Sequence, residues 1–276
     1  MKIIVMSDLH LSKKPWQVRK ALCMARNADL VLLAGDLVND GTPEQMDLMR
    51  QCISDVLPET PVLSVAGNHD YPRWPSPMIR VWDYQALQEW LLIRQPYPYR
   101  LDDSGAYAVR VGNMEVIGLN CVSHWRRFKF VDGTQLKWLD DHLDGSDAVW
   151  HIILCHAPLS AHNPKRNDRK PYLSRDEQLQ EIVDAHKNII FISGHTHISM
   201  ENDGCVEYDM ERGNIYINDG SIRPTTVLKE DGREGVKNRD GNLAELELSE
   251  DQITVTGVSL RTGGNFLKLS FARRLF

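Results

Sequence analysis

Apolar runs that stop abruptly at short polar clusters set the pattern of this chain. Lys2–Met6 is apolar after its lysine and ends in Ser7-Asp8-Leu9-His10. Residues 28–34 end in Gly35-Asp36, and residues 61–66 end in Gly67-Asn68-His69-Asp70. Further on, 149–155 stops at His156, and 188–193 stops at Gly194-His195-Thr196-His197. Continuous apolar runs of this length suit strands covered on both faces. Helical patterns separate them at 15–27, 42–57, 84–95, 134–143 and 176–186. Thr42 reads as a cap with Pro43 in the first turn, and Thr134 as a cap for the fourth helix.

The first three strands with their helices predict a βαβαβ unit whose polar strand ends lie along one edge. From residue 106 the pattern changes. Residues 106–111 and 115–120 flank Gly112-Asn113, a hairpin turn, so a second and partly antiparallel sheet begins there. Residues 206–210 and 215–218 flank a turn at Arg212-Gly213, and 243–248 with 252–258 alternate as a hairpin. Segments 71–83, 121–133, 157–175 and the charged, glycine-rich 229–241 read as loops. No linker divides the chain. The expectation is one α/β domain over 1–276, with a core in 1–200 and a β-rich part in 201–276 completing the second sheet.

Composition narrows the class. The chain has 276 residues, 42% hydrophobic and 25% charged, a globular balance. A net charge of −6 disfavours binding a long nucleic acid through a basic face. Five dispersed cysteines without a C-x-x-C pair suit reduced thiols, hence a cytoplasmic protein. The opening apolar run is too short for a signal peptide, and no run is long enough to span a membrane. Nothing in the sequence sets the oligomeric state.

Chemistry gathers at the strand ends. Taken alone, Asp8 reads as a helix cap, Asp36 as a turn residue and His156 as a core histidine. Five strand ends carrying Asp, His or Asn are not explained that way. In an extended chain Asp8 and His10 point to one side, a spacing that lets both reach one ion, and it recurs at His195 and His197. The blocks Asp8-x-His10, Gly35-Asp36, Gly67-Asn68-His69-Asp70, His156 and Gly194-His195-Thr196-His197 resemble the calcineurin-like metallophosphoesterase family, in order and without a departure. Beyond His197 the likeness is loose, although Gly220-Ser221 after a strand is similar to a family feature.

The resemblance implies a four-layer α/β/β/α sandwich and two divalent metal ions per chain. Asp8, His10, Asp36 and His197 would hold one ion; Asp36, Asn68, His156 and His195 would hold the other, with Asp36 shared. Two aspartates cancel only half the charge of two divalent ions, so the centre stays cationic and suits a phosphate. Such a pair activates water and clamps phosphoryl oxygens. Mixed nitrogen and oxygen donors without thiolate fit Mn, Fe, Co, Ni or Zn and do not choose among them; Mn or Fe is the favoured expectation. The resemblance also gives His69 the part of protonating the leaving oxygen or steadying the transition state. Asp70 would orient its ring.

The substrate expected is a phosphorylated small molecule or nucleotide. Its mono- or diester bond would be hydrolysed as in the small bacterial-type cyclic-nucleotide phosphodiesterases. A phosphoprotein phosphatase, a nuclease and a non-catalytic scaffold are the rival readings. Arg73 is the leading residue for a phosphate contact among the basic loops, followed by His124 and His162. His142, His151 and His186 fall in or beside regular elements and read as structural.

Overall fold

The computed structural model of the protein describes residues 1–71, 82–124, 127–130, 133–165, 172–229, 234–237 and 240–274. In chain order the elements begin with β1 (Lys2–Met6), α1 (Trp16–Met24), β2 (Leu30–Leu33), α2 (Pro43–Val56), β3 (Val62–Ser64) and α3 (Trp82–Arg94). Next come β4 (Tyr99–Leu101), β5 (Tyr107–Val111), β6 (Met114–Gly118), β7 (Cys121–His124), β8 (Arg127–Phe130), α4 (Gln135–Asp144) and β9 (Trp150–Leu154). The rest are α5 (Asp176–Ala185), β10 (Ile189–Ser193), β11 (Val206–Tyr208), β12 (Ile215–Asn218), β13 (Thr226–Leu228), β14 (Glu234–Lys237), β15 (Asn242–Leu248), β16 (Gln252–Ser259) and β17 (Asn265–Ala272).

Two mixed sheets carry the fold, in the orders β17-β16-β15-β1-β2-β3 and β11-β12-β10-β9-β6-β5-β4. Strands β1, β2 and β3 run parallel, as do β6, β9, β10 and β12. The apolar runs lack alternation because both faces of each strand are covered. On β1, Ile4 and Met6 face a cluster with Leu22, Met49 and Ile53, whereas Ile3 and Val5 face Val116, Ile152 and Ile190 across the sheets. On β9, Ile152 and Leu154 join that inter-sheet cluster, and Ile153 faces Leu139, Leu179 and Val183 of α4 and α5. Three apolar layers therefore separate four structural ones, the expected α/β/β/α sandwich.

The expected strands and helices form, with ends moved by no more than three residues. The side chain of Thr42 accepts from the Gln45 amide and caps α2. Thr134 is already in helical conformation, and its side chain makes no cap for α4. Segment 121–133 is not simply a loop, because β7 and β8 pair there as a hairpin. Within 229–241, β14 pairs with β13. The region after residue 200 does not simply complete the second sheet. Strands β11 and β12 do so, but β15, β16 and β17 extend the first, with Ile3 opposite Leu246 and Val5 opposite Ala244. The reason is that β1 would otherwise leave its backbone unpaired on one edge. Among the described residues no helix is long and apolar enough to cross a membrane.

Candidate metal centre

The parallel strands of both sheets deliver their carboxyl ends to one place, where ligands gather in open α/β sheets. The exit of β1 runs beside that of β2: the Asp8 amide donates to the Gly35 carbonyl (3.0 Å) and the His10 amide to the Asp36 carbonyl (2.9 Å). The chain is not extended there. Asp8, His10, Asp36, His195 and His197 all have positive φ, between 43° and 68°. Only seven non-glycine residues do so among those described, and five belong to this cluster. Each left-handed residue costs about 1–3 kcal/mol and persists where the surroundings over-determine it, commonly at functional sites. The alternation expected for Asp8 and His10 is thus replaced by a coiled exit that turns Leu9 into the core and both polar side chains to the cluster.

Glycine makes the close approach possible. A Cβ on Gly35, itself at φ +93°, would meet the His156 ring at 2.5 Å, and one on Gly67 would collide with the Asp36 carboxylate.

Donor atoms converge in three groups: Asp8, His10 and His197; His10, Asp36 and His69; and Asp36, His156 and His195. Within each, the donors lie within 4.8 Å of one another. His197 Nε2 is 3.0 Å from Asp8 Oδ1, His156 Nε2 is 3.4 Å from Asp36 Oδ2, and His10 Nε2 is 3.7 Å from Asp36 Oδ2. The His10 and His197 Nε2 atoms are 3.1 Å apart. Asp8 and His156 are fully buried. Yet Asp8 Oδ1, Asn68 Oδ1, His10 Nδ1 and His156 Nε2 have no hydrogen-bond partner. Each such atom costs about 1–3 kcal/mol, and Asp8 Oδ1 and His156 Nε2, 4.0 Å apart, would both be satisfied by a cation between them. His156 Nδ1 lies 2.7 Å from the Ala34 carbonyl, an arrangement that turns Nε2 towards the carboxylates, as in ligating histidines.

The electrostatics agree. Burial works against a proton on His156, but Asp36 and Asp8 outweigh it and push the imidazole up to about 10. Burial also opposes ionisation of Asp8, and His197, His156 and His10 still hold it well below the carboxylate range. Burial pushes His10 down to about 4 and His195 down to about 3, leaving neutral donors. Two buried anions that draw a proton onto His156 call for positive charge, which a bound cation would supply instead.

Asp70 does not orient the His69 ring. Its Oδ1 accepts from the Val38 amide (2.9 Å) and its Oδ2 from the Gly67 amide (2.7 Å), which staples the turn to the exit of β2. Neighbouring side chains on a tight turn splay apart, so the His69 ring meets the Asn39 carbonyl instead, at 2.8 Å. The His69 amide donates to Asp36 Oδ1 (2.7 Å), and its ring stands edge-on to His10 at 4.4 Å. Arg73 and the side chain of His124 lie outside the described residues. His162, expected on the substrate side, stands 2.7 Å from Glu207 and stacks on Tyr216 at 3.4 Å. It lines a groove with Gln180, Asp184 and Arg212 beside the helix layer of the second sheet.

Sequence reasoning missed Asp219. It lies fully buried after β12, with Ser7 Oγ 2.5 Å from its Oδ1 and 2.7 Å from Asp8 Oδ2. One hydroxyl proton cannot serve two carboxylates, so the second contact needs a proton on Asp219. Burial, aided by the charge of Asp8, pushes Asp219 up to about 8. Its neighbour Gly220 was the only sequence signal. A carboxyl raised on folding costs stability increasingly as pH climbs from the unfolded value near 4 towards 8. Asp219→Asn, which keeps the shape and a donor, is therefore expected to raise the Tm of metal-stripped protein more at pH 8 than at pH 5. An equal or opposite change in thermal melts at the two values would place an ionised carboxylate there.

Three comparisons bear on this geometry. The chain is 27% identical over 172 residues to a protein of Synechococcus sp. named a probable cyclic nucleotide phosphodiesterase, covering 62% of this chain and 59% of that one. It therefore spans less than two thirds of that relative. A Moraxella catarrhalis protein of the same description is 26% identical over 205 residues, covering 71% of this chain and 70% of its own length. The purple acid phosphatase PPD1 of yellow lupin shares the fold, with a TM-score of 0.64 at 16% identity, covering all of this chain and 54% of that one. The sequence model of the calcineurin-like phosphoesterase family matches residues 1–199, the span that holds every strand-end block. The chain belongs to the calcineurin-like phosphoesterase family, whose hydrolases act on phosphate ester bonds.

Proposed function

We propose that this chain is a metal-dependent phosphodiesterase that hydrolyses a small phosphorylated substrate of the cyclic-nucleotide class. The observation that carries the reading is the convergence of Asp8, His10, Asp36, His156, His195 and His197, with orphaned donor atoms aimed into the shared space. Asp8, His10, Asp36 and His197 would hold one divalent ion. Asp36, Asn68, His156 and His195 would hold the second, with Asp36 between them. Nitrogen and oxygen donors without thiolate suit Mn, Fe, Co, Ni or Zn, of which Mn or Fe is the choice proposed. When bound, two such ions supply an acidified water and polarise the phosphoryl oxygens.

The remaining chemistry belongs to the chain. Carbonyl acceptors at Ala34 and Asn39 set the imidazoles of His156 and His69. His69, anchored through Nδ1, protonates the leaving oxygen or holds its developing charge through Nε2. Asp70 acts through the turn as a positioning residue. The names of the two relatives favour a cyclic nucleotide, and the unpaired thiols, four of them buried, suit work in the cytoplasm.

Metal-stripped protein reconstituted with Mn2+ tests this against chromogenic mono- and diesters, a cyclic nucleotide, a phosphopeptide and single-stranded DNA. Metal-dependent turnover with the cyclic nucleotide preferred is expected. Preference for the phosphopeptide or DNA would move the substrate to a rival class, and inactivity with every metal would leave a scaffold.

A further inference from the structure

The turn after β12 clasps the exit of β1. The Ile222 amide donates to the Ser7 carbonyl (3.2 Å), and Ser221 Oγ donates to the Asp8 carbonyl (3.3 Å). Ile222 is itself fully buried in the apolar cluster that holds Leu9 and Leu11, which anchors the turn against the strand exit. Arg223, the next residue, is half-buried and reaches further along the same exit. Its Nε donates to the Leu9 carbonyl (3.1 Å), one terminal nitrogen donates to the His10 carbonyl, and the other donates to Gln17 Oε1 (3.0 Å). Gln17, in the first turn of α1, donates in return from Nε2 to the Ile222 carbonyl (2.6 Å).

These contacts fall where the backbone is least favourable. Asp8 and His10 are left-handed, at φ 51° and 43°, and such conformations persist only where the surroundings over-determine them. Among the described residues no backbone amide donates to the carbonyl of Leu9 or of His10. A carbonyl inside the fold needs a donor, and one planar guanidinium supplies both. A lysine could not, because its ammonium is a single point of charge on a flexible stem. Without the fork, the His10 backbone is free to relax out of the left-handed region and carry its imidazole away from Asp8 and His197.

We infer that Arg223 is a positioning residue of the metal centre, holding the β1 exit in the shape that aims Asp8 and His10 at one ion. The inference rests on the reading of those two side chains as ligands of a divalent cation. It adds a residue that lies beyond the span 1–199 matched by the family model. The effect is local to one ion. Asn68, His156 and His195, assigned to the other, leave from β3, β9 and β10, which Arg223 does not touch.

Metal-stripped wild type, Arg223→Lys and Arg223→Ala are titrated with Mn2+, and bound and free ion are separated by equilibrium dialysis. Wild type is expected to take up two equivalents per chain. Both variants should bind one of them about 10–100-fold more weakly, the usual effect of removing an outer partner of a ligand, and keep the other unchanged. Selective loss in Arg223→Lys, with native circular dichroism, is a result that general loosening of the fold would not give, and the retained charge excludes a purely electrostatic cause. Wild-type binding in Arg223→Lys, or equal weakening of both equivalents, overturns the positioning role. A wild type that takes up no Mn2+ overturns the metal reading and this inference with it, so the two failures are distinct. Should neither Arg223 variant fold, Gln17→Met decides through the lost Gln17 contacts: selective weakening supports the role, and unchanged affinity at both equivalents overturns it.

Discussion

Asp36→Asn is expected to abolish phosphate ester hydrolysis and to lower bound metal by at least one equivalent per chain. Asp36 is one of two carboxylates in the cluster, and it belongs to two of the three donor groups. Its Oδ2 lies 3.4 Å from His156 Nε2 and 3.7 Å from His10 Nε2, while its Oδ1 receives the His69 amide. Asparagine fills the same volume but removes the charge that offsets the ions. Charge stabilisation by metals is worth several kcal/mol, so the rate should fall about a thousandfold or more. Circular dichroism should stay native, because substitution removes a buried anion rather than packing. Elemental analysis and turnover together decide the matter: full metal with full rate would remove Asp36 from the centre.

His69→Ala should act differently. A positioned general acid contributes about 10²–10⁴-fold, and the variant is expected to lose that much in kcat while keeping its metal and most of its affinity for substrate. The geometry behind this is the 2.8 Å contact of Nδ1 with the Asn39 carbonyl, which fixes the ring beside the strand-end cluster. His69 also belongs to a donor group with His10 and Asp36, so a ligand role makes a distinct forecast. Loss of metal in step with loss of rate would assign His69 to ion binding. A kcat that recovers with added imidazole would support proton transfer.

The strand ends were readable because burial and polarity conflict there. An uninterrupted run such as Ile3 to Met6 must be covered on both sides, and a polar cluster directly after it must face an opening. Histidine, aspartate or asparagine at five such ends, beside glycine at three of them, pointed to a shared cation site. Side-chain assignments within the cluster were less legible. Asp70 adjoins His69 in sequence, yet its carboxylate turns to the Gly67 and Val38 amides and the Asn39 carbonyl takes the ring. Asp219 gave almost no signal, since its significance comes from a serine more than two hundred residues away. His142 and His151 read as structural from the sequence, and their shared neighbour Glu115 drew no notice, because nothing local marks positions on separate elements as neighbours.

By itself, then, the sequence determined the βαβαβ start, the beginning of a second sheet and the polar clusters at the strand ends, because hydrophobic periodicity and side-chain polarity are local properties. Only the tertiary structure decided which sheet the last strands join, since β1 needs a partner that could have come from anywhere along the chain. It also decided the left-handed backbone at Asp8, His10, Asp36, His195 and His197. Those conformations are unfavourable alone and exist because packing between the sheets and hydrogen bonds from the neighbouring strand exits hold them in place.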